Sequence, residues 1–489
     1  MKIQVSRGDW RAAPFDLLIL GGAFEDPATR SRLPETGRRV WELLAEEGWK
    51  DGDGACRLLY GFPGLAAKRV LLVGLGNAAL DRERLRKSLL GFLLSQRFRV
   101  LDKVGICLLG PEPEAFLRTA LEAVLLLQED VGFLKTEANE ARRIEEISLE
   151  CGECSAGPGF DPDLIEKVLA GVNLARRLTH LPGNRTSPAE LAELAADLGR
   201  GGGLEVRVWD ERSLAEEGFG AILAVGCGSS RPPQLVSLRY VGAPERPSEV
   251  TCLVGKGVVF DAGGLSLKPA QSMEEMKGDK AGACSVLGTM QVLAAVRPRC
   301  NVLALLPLAE NLPGGRAQRP GDVIRTYSGK TVEVINTDAE GRLLLADALG
   351  YATREFKPRE VIDLATLTGA VVVALGHVRA GLFANDETLA AELERAGGAA
   401  GERLWRMPLD PDYFEELKSP IADVKNIGSR WGGAVTAAKF LEFFVEGTPW
   451  AHIDMAGKDL FDEKRKELGP SGFGVMTLVE WILQRSSEN

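Results

Sequence analysis

Two stretches decide how this chain is read. The first is Val254-Gly-Lys256-Gly-Val-Val-Phe-Asp261-Ala-Gly-Gly264-Leu-Ser-Leu-Lys268-Pro269, followed closely by Met276-Lys-Gly-Asp279. The second is Asn336-Thr-Asp338-Ala-Glu340-Gly-Arg342-Leu343. Each begins where an apolar, strand-like run ends. In α/β sheets, loops converge and ligand sites form at the carboxyl ends of strands. Gly263 and Gly264 would let the backbone turn tightly there. Lys256 and Asp261 interrupt an otherwise apolar segment, and charges buried in such surroundings need partners.

The alternation continues on either side. Strand candidates are 204–209, 235–241, 250–254, 301–307, 332–335, 361–364 and 450–454, with helices between them and a closing helix over 474–484. Upstream, Asp161–Leu181 has a long helical pattern with Asp161 as its N-cap before Pro162, and it stops at Pro182-Gly183-Asn184. The first third carries strand candidates at 16–24, 70–76 and 104–110 and helix candidates at 38–49, 82–98 and 113–130. The expected fold is therefore α/β: a small N-terminal α/β domain over residues 1–155, a linker helix over 156–186, and a larger α/β catalytic domain over 187–489 with a mixed central sheet. A length of 489 residues supports more than one domain.

Composition narrows the class. The chain is 45% hydrophobic and 26% charged, so a sizeable core is available. A formal charge of −10 weighs against nucleic acid or an anionic membrane as the main partner. The 8 cysteines are too sparse for a disulfide framework, and Cys151-Gly-Glu-Cys154, in a Gly/Pro-rich linker, is a lone CxxC without a second metal-ligand pair. The N-terminus lacks a signal-like apolar segment, and no apolar run reaches membrane-spanning length, which predicts a cytoplasmic protein.

The residues of the two clusters admit a bland reading and a sharp one. Asp338 and Glu340, at i and i+2, would share one face of a strand, and a charged turn at a strand end is common. Lys256 could form a salt bridge to Asp261. The sharp reading is a divalent cation site, since oxygen-rich donor sets suit Mg²⁺, Mn²⁺ or Zn²⁺ and two such ions can activate a water and polarise a carbonyl together. His180, His377 and His452 are not paired at ligand spacing and HExxH is absent. No GxSxG occurs, and Gly255-Lys256-Gly257 lacks the P-loop context.

These motifs resemble those of the leucyl aminopeptidases (cytosol aminopeptidases), di-metal exopeptidases with a small N-terminal and a larger catalytic domain. The octapeptide Asn336–Leu343 is similar to the family signature, and the spacing of Lys256, Asp261, Lys268 and Asp279 fits the family pattern. Asp363–Gly369 (DLATLTG), Ala422–Asn426, Gly433–Ala438 and His452–Gly457 (HIDMAG) extend the likeness, which runs from the linker helix to the end of the chain. The resemblance implies a metal-dependent aminopeptidase that releases Leu and other mainly apolar N-terminal residues, using a metal-bridging water. It implies two divalent ions (Mn²⁺ or Zn²⁺, with Mg²⁺ as a third option). Lys256, Asp261, Asp279 and Glu340 would hold one, and Asp261, Asp338 and Glu340 the other. Lys256 could ligate only as a neutral amine. Lys268 would stabilise the oxyanion, Arg342 would hold a bicarbonate that acts as general base, and Thr366, Leu367 and Gly369 would border the substrate. A homohexamer is implied too. The alternative is a non-catalytic or moonlighting nucleic-acid-binding regulator on the same fold. Two departures from the family pattern stand out: Lys280, where many relatives carry Met, and Trp431 ahead of Gly432-Gly433.

Overall fold

The computed structural model describes residues 1–52, 54–76, 80–96, 101–110, 113–136, 144–150 and 160–488. The Cys151–Cys154 pair and most of the Gly/Pro-rich linker lie outside them. The chain divides into two compact units, Met1–Leu169 and Ala170–Asn489. The division falls inside the helix Pro162–His180, whose first turn is capped by Asp161 Oδ1 accepting from the backbone of Asp163 and Leu164.

In the first unit, strands β1 (Lys2–Ser6), β2 (Leu17–Gly22), β3 (Ala55–Tyr60), β4 (Arg69–Gly74), β5 (Lys103–Leu108) and β6 (Glu146–Glu150) form one sheet in the order β1-β6-β5-β2-β4-β3. Its pairs are parallel except for β3 against β4. The apolar runs of β2, β4 and β5 announce themselves in the sequence. Strands β1, β3 and β6 do not, because their outer positions are polar or half-exposed.

The second unit holds β7 (Glu205–Trp209), β8 (Gln234–Val241), β9 (Val250–Gly255), β10 (Gly257–Asp261), β11 (Asn301–Asn311), β12 (Val323–Arg325), β13 (Thr331–Glu333), β14 (Glu360–Ala365), β15 (Ala380–Ala384), β16 (Leu404–Arg406), β17 (Val424–Lys425) and β18 (Trp450–Asp454). The main sheet runs β16-β15-β18-β14-β9-β11-β8-β7, with β10 paired to β11, and β12, β13 and β17 form a separate small sheet. The main sheet is mixed. β18, β14, β9, β11 and β10 are mutually parallel, while β15, β8 and β7 join by antiparallel pairing.

The parallel centre is buried on both faces, as continuous apolar strands require. All eleven residues of β11 are buried. The helix Ala281–Val296 packs against β9 and β14. Cys252 and Val254 of β9 share a core with Leu343–Ala346, Ala348 and Leu349 of the helix Gly341–Tyr351. Leu253, between them, points to the opposite face.

This topology places the chemistry. The parallel strands end at Gly255, Asp261, Asn311, Ala365 and Asp454, all at one edge of the sheet. Lys256 follows β9, Asp261 closes β10, and Thr366–Gly369 follow β14. The expected strand over 332–335 is shorter and covers Thr331–Glu333. Asp338 and Glu340 share no strand face: they lie in the turn leading into the helix Gly341–Tyr351, with Glu340 at its N-cap position. A helix whose first residues carry the signature wins over a two-residue alternation.

Candidate metal centre

Oxygens of Asp261, Asp338 and Glu340 all lie within 4.8 Å of one another. Asp261, Asp279 and Glu340 are buried and Asp338 is half-buried. Two lysines thread the group. Lys256 Nζ stands 2.8 Å from Asp279 Oδ1 and 2.9 Å from Glu340 Oε1, and donates to the Thr366 carbonyl at 3.0 Å. It therefore pairs with Asp279 and Glu340, not with Asp261. Lys268 Nζ lies 2.8 Å from Asp261 Oδ2 and 2.5 Å from Asp338 Oδ1.

Local sequence explains these positions. Gly263 turns at φ +86°, where a Cβ would stand 2.5 Å from the Ser266 carbonyl and 2.8 Å from Asp338 Oδ1, so only glycine brings the two clusters this close. Gly341 is needed for another reason: a Cβ there would meet Lys256 Cε at 2.5 Å. Asp261 Oδ1 accepts from Gly263 N and from Asn311 Nδ2, both at 2.8 Å, and Asn311 also donates to the Thr337 carbonyl. Thr366 Oγ1 donates to Asp279 Oδ1 at 2.7 Å.

The electrostatics are those of crowded carboxylates. Burial raises the pKa of Asp279 and Glu340, and each is raised further by Asp261. Burial opposes the charge on Lys256, yet Asp279, Glu340 and Asp261 outweigh it and hold the ammonium above the usual lysine range. Asp279 Oδ2 and Glu340 Oε2 are buried and, among the described residues, have no hydrogen-bond partner. Buried oxygens without donors, beside the convergent oxygens of Asp261, Asp338 and Glu340, fit a divalent cation.

Arg342 is buried, not the surface arginine that its place at a helix start allows. Its Nη1 donates to the Asn426 carbonyl at 2.8 Å, its Nε has no partner, and burial lowers its pKa to about 10. Leu367 N donates to Asp454 Oδ1 at 3.0 Å and Thr368 Oγ1 to Asp454 Oδ2 at 2.7 Å, which fixes the start of the helix Gly369–Leu375. Thr366, Leu367 and Gly369 line an open cavity of about 430 Å³ together with Lys256, Asp261, Lys268, Asp279, Asp338 and Glu340. Arg342 is not on that wall. The departures resolve differently. Lys280 points away from the cavity, fully buried, and its ammonium donates to the carbonyls of Leu181 (2.8 Å) and Lys277. Trp431 is exposed, with the Arg430 guanidinium over its ring.

Three residues that hold the site escape sequence reasoning as individuals: Asn311, Asn426 and Asp454. Asn426 Oδ1 accepts from Ile335 and Asn336, and its Nδ2 donates to the Asn336 carbonyl, which pins the signature loop. The available signal for two of them was a polar residue closing an apolar strand, as Asn311 closes β11 and Asp454 closes β18.

The comparisons with known proteins agree with this geometry. Residues 173–479 match the catalytic domain of the cytosol aminopeptidase family and residues 22–90 its N-terminal domain. A probable cytosol aminopeptidase of Roseiflexus castenholzii is 42% identical, covering 98% of this chain and 98% of that protein. One from Acidovorax ebreus is 43% identical over 92% and 90%. Among solved structures, a mutant of tomato leucine aminopeptidase superposes with a TM-score of 0.85 at 33% identity, covering 99% of this chain and 96% of that one. The bottromycin maturation enzyme BotP, in complex with Mn, gives 0.81 at 31% identity over 96% and 99%. With its carboxylate cluster at the strand ends and its likeness running through both domains, this chain belongs to the cytosol aminopeptidase family and is a metal-dependent aminopeptidase.

Proposed function

We propose that the cluster holds two divalent cations, Mn²⁺ or Zn²⁺ with Mg²⁺ as a weaker fit: one among Lys256, Asp261, Asp279 and Glu340, the other among Asp261, Asp338 and Glu340. The observation that carries this is the pair of buried, partnerless oxygens, Asp279 Oδ2 and Glu340 Oε2, beside the convergent Asp261–Asp338–Glu340 group. Bound there, the cations supply Lewis acidity, an acidified water and an anchor for the peptide's free amino group.

The chain's own residues do the rest. Lys268, 14% exposed on the cavity wall, is a fixed cation suited to stabilise negative charge developing on a peptide carbonyl oxygen. Lys256 ligates only after losing a proton, which its three carboxylate neighbours oppose until cations offset their charge. Arg342, with an unpaired Nε and no ion-pair partner among the described residues, suits a small planar anion, and bicarbonate as proton acceptor is the reading the family resemblance supports. Thr366, Leu367 and Gly369 line the cavity and shape the seat for a leucine-like first residue. Asp454 keeps that segment in place. A cytoplasmic homohexamer is the setting that the same resemblance supports. Among the described residues no helix is long and apolar enough to cross a membrane.

Metal stoichiometry tests the assignment. Dialysed against Mn²⁺ and measured by plasma emission, the protein should bind two ions per chain and Asp338→Ala no more than one. Equal stoichiometry in both would contradict it.

A further inference from the structure

The cavity does not end at the carboxylate cluster. Its wall continues along Met276, Val372 and Ala456 to Asp459. The chain brings Asp459 there by a short turn after β18. Lys458 N donates to the Met455 carbonyl at 2.9 Å, and Ser471 N donates to the Asp459 carbonyl at 2.8 Å. A Cβ on Gly278 would stand 3.5 Å from Asp459 Oδ2, so this carboxylate lies against the segment that carries Asp279.

Among the described residues, no side chain donates a hydrogen bond to Asp459 and no cation pairs with it. Burial pushes its pKa up to about 6; the backbone N–H groups of Asp459 and Gly457 act against this, and Glu463 and Asp279 act with it. The basic side chains on this wall include Lys466, already paired with Glu275, Lys277, and His377, whose Nδ1 lies 3.8 Å from Glu463 Oε1. Glu463 adds a second acid on the same wall. A recessed carboxylate without a counter-ion carries a desolvation cost that a bound cation would offset. Met276, Val372 and Ala456 add apolar surface to the same wall. That combination matches a side chain with an aliphatic stem and a charged tip.

We propose that this end of the cavity receives the side chain of the peptide's first residue, and that Asp459 is a specificity-determining residue that admits lysine and arginine there. The stem lies along Met276, Val372 and Ala456, and the cationic head meets Asp459. The proposal rests on the aminopeptidase reading of the site and extends its substrates beyond leucine-like residues.

Lysine and norleucine p-nitroanilides provide the test, because their side chains share an unbranched four-carbon chain and differ by the ε-ammonium. With full-length, Mn²⁺-loaded protein, the lysine-to-norleucine ratio of kcat/KM should fall at least about fivefold in both Asp459→Asn and Asp459→Leu, since a site built for a polar group loses its discrimination when that partner is removed. The ratio of calorimetric affinities for free L-lysine and L-norleucine should fall in step. A smaller change in both variants, with their melting curves showing folded protein, overturns the proposal. So does wild-type protein that cleaves the norleucine substrate and leaves the lysine one untouched, an outcome that spares the aminopeptidase reading. Hydrolysis of neither substrate would overturn that reading and this one together.

Discussion

The ammonium of Lys256 stands 2.9 Å from Glu340 Oε1, and the two side chains are 3% and 2% exposed. With Asp279 at 2.8 Å on the other side, this lysine is a buried counter-ion of the carboxylate cluster. Removing one partner of a buried ion pair strands the other. In chelator-treated protein, Lys256→Met should therefore lower unfolding stability by about 3–5 kcal/mol. Urea unfolding in EDTA measures this. A loss below about 1 kcal/mol would mean that the carboxylates are neutralised by other means.

The signature loop depends on a residue outside it. Asn426 satisfies backbone groups of Ile335 and Asn336, and its own carbonyl holds Arg342. Asn426→Ala leaves part-buried backbone groups of Ile335 and Asn336 without their partner, at about 0.5–1.5 kcal/mol. It should also weaken Mn²⁺ binding by roughly 10–100-fold, as expected for a group that orients ligands without touching the ion. Competition with a fluorescent chelator reports the affinity. Unchanged affinity would show that the loop holds itself.

How far the sequence foretold this follows from where its signals are local. The α/β class and the strands β2, β4, β5, β8, β9, β11, β14 and β18 are legible because continuous apolar runs mark buried strands. Strands β10, β15 and β16 are not. Gly257–Asp261 looks like the turn after β9, and Ala380–Ala384 and Leu404–Arg406 are short and flanked by glycine or arginine. The cluster residues are legible through spacing and family resemblance. Their pairing is not, because whether Lys256 meets Asp261 or Asp279 is set by how β9, β14 and the helix Gly341–Tyr351 converge. Asp459 escaped for the same reason: a lone acid after HIDMAG-Lys is unremarkable until the fold turns it toward the cavity.

Lys280 is a buried structural cation. It ties the carbonyls of Leu181 and Lys277 beside the segment bearing Asp279. Lys280→Met fills the volume and leaves both carbonyls without their donor, so stability should fall by about 1–3 kcal/mol. Thermal melts measure the effect, and a variant as stable as the parent would show that water replaces the ammonium readily.

His452 and Asp363 form a fully buried pair, with Nδ1 and Oδ1 2.5 Å apart. Burial opposes charge on His452, but Asp363 outweighs it, and the imidazole pKa is raised. A raised folded-state value means that the pair's stabilisation is complete below the unfolded histidine pKa of about 6.5 and is lost as pH rises through the higher folded value. Wild-type melting temperature should therefore decline between pH 6.5 and 9 more steeply than that of His452→Gln, which keeps a hydrogen-bonding side chain but does not titrate. Parallel profiles would contradict the assignment.

The most direct test of the central claim is restoration of activity by metal. Protein stripped with chelator should lose leucine p-nitroanilide hydrolysis and regain it on addition of Mn²⁺ or Zn²⁺, while Asp338→Ala, folded by its melting curve, should regain little or none. Hydrolysis that persists without metal, or returns equally in Asp338→Ala, would contradict a catalytic metal centre built from Asp261, Asp279, Asp338 and Glu340.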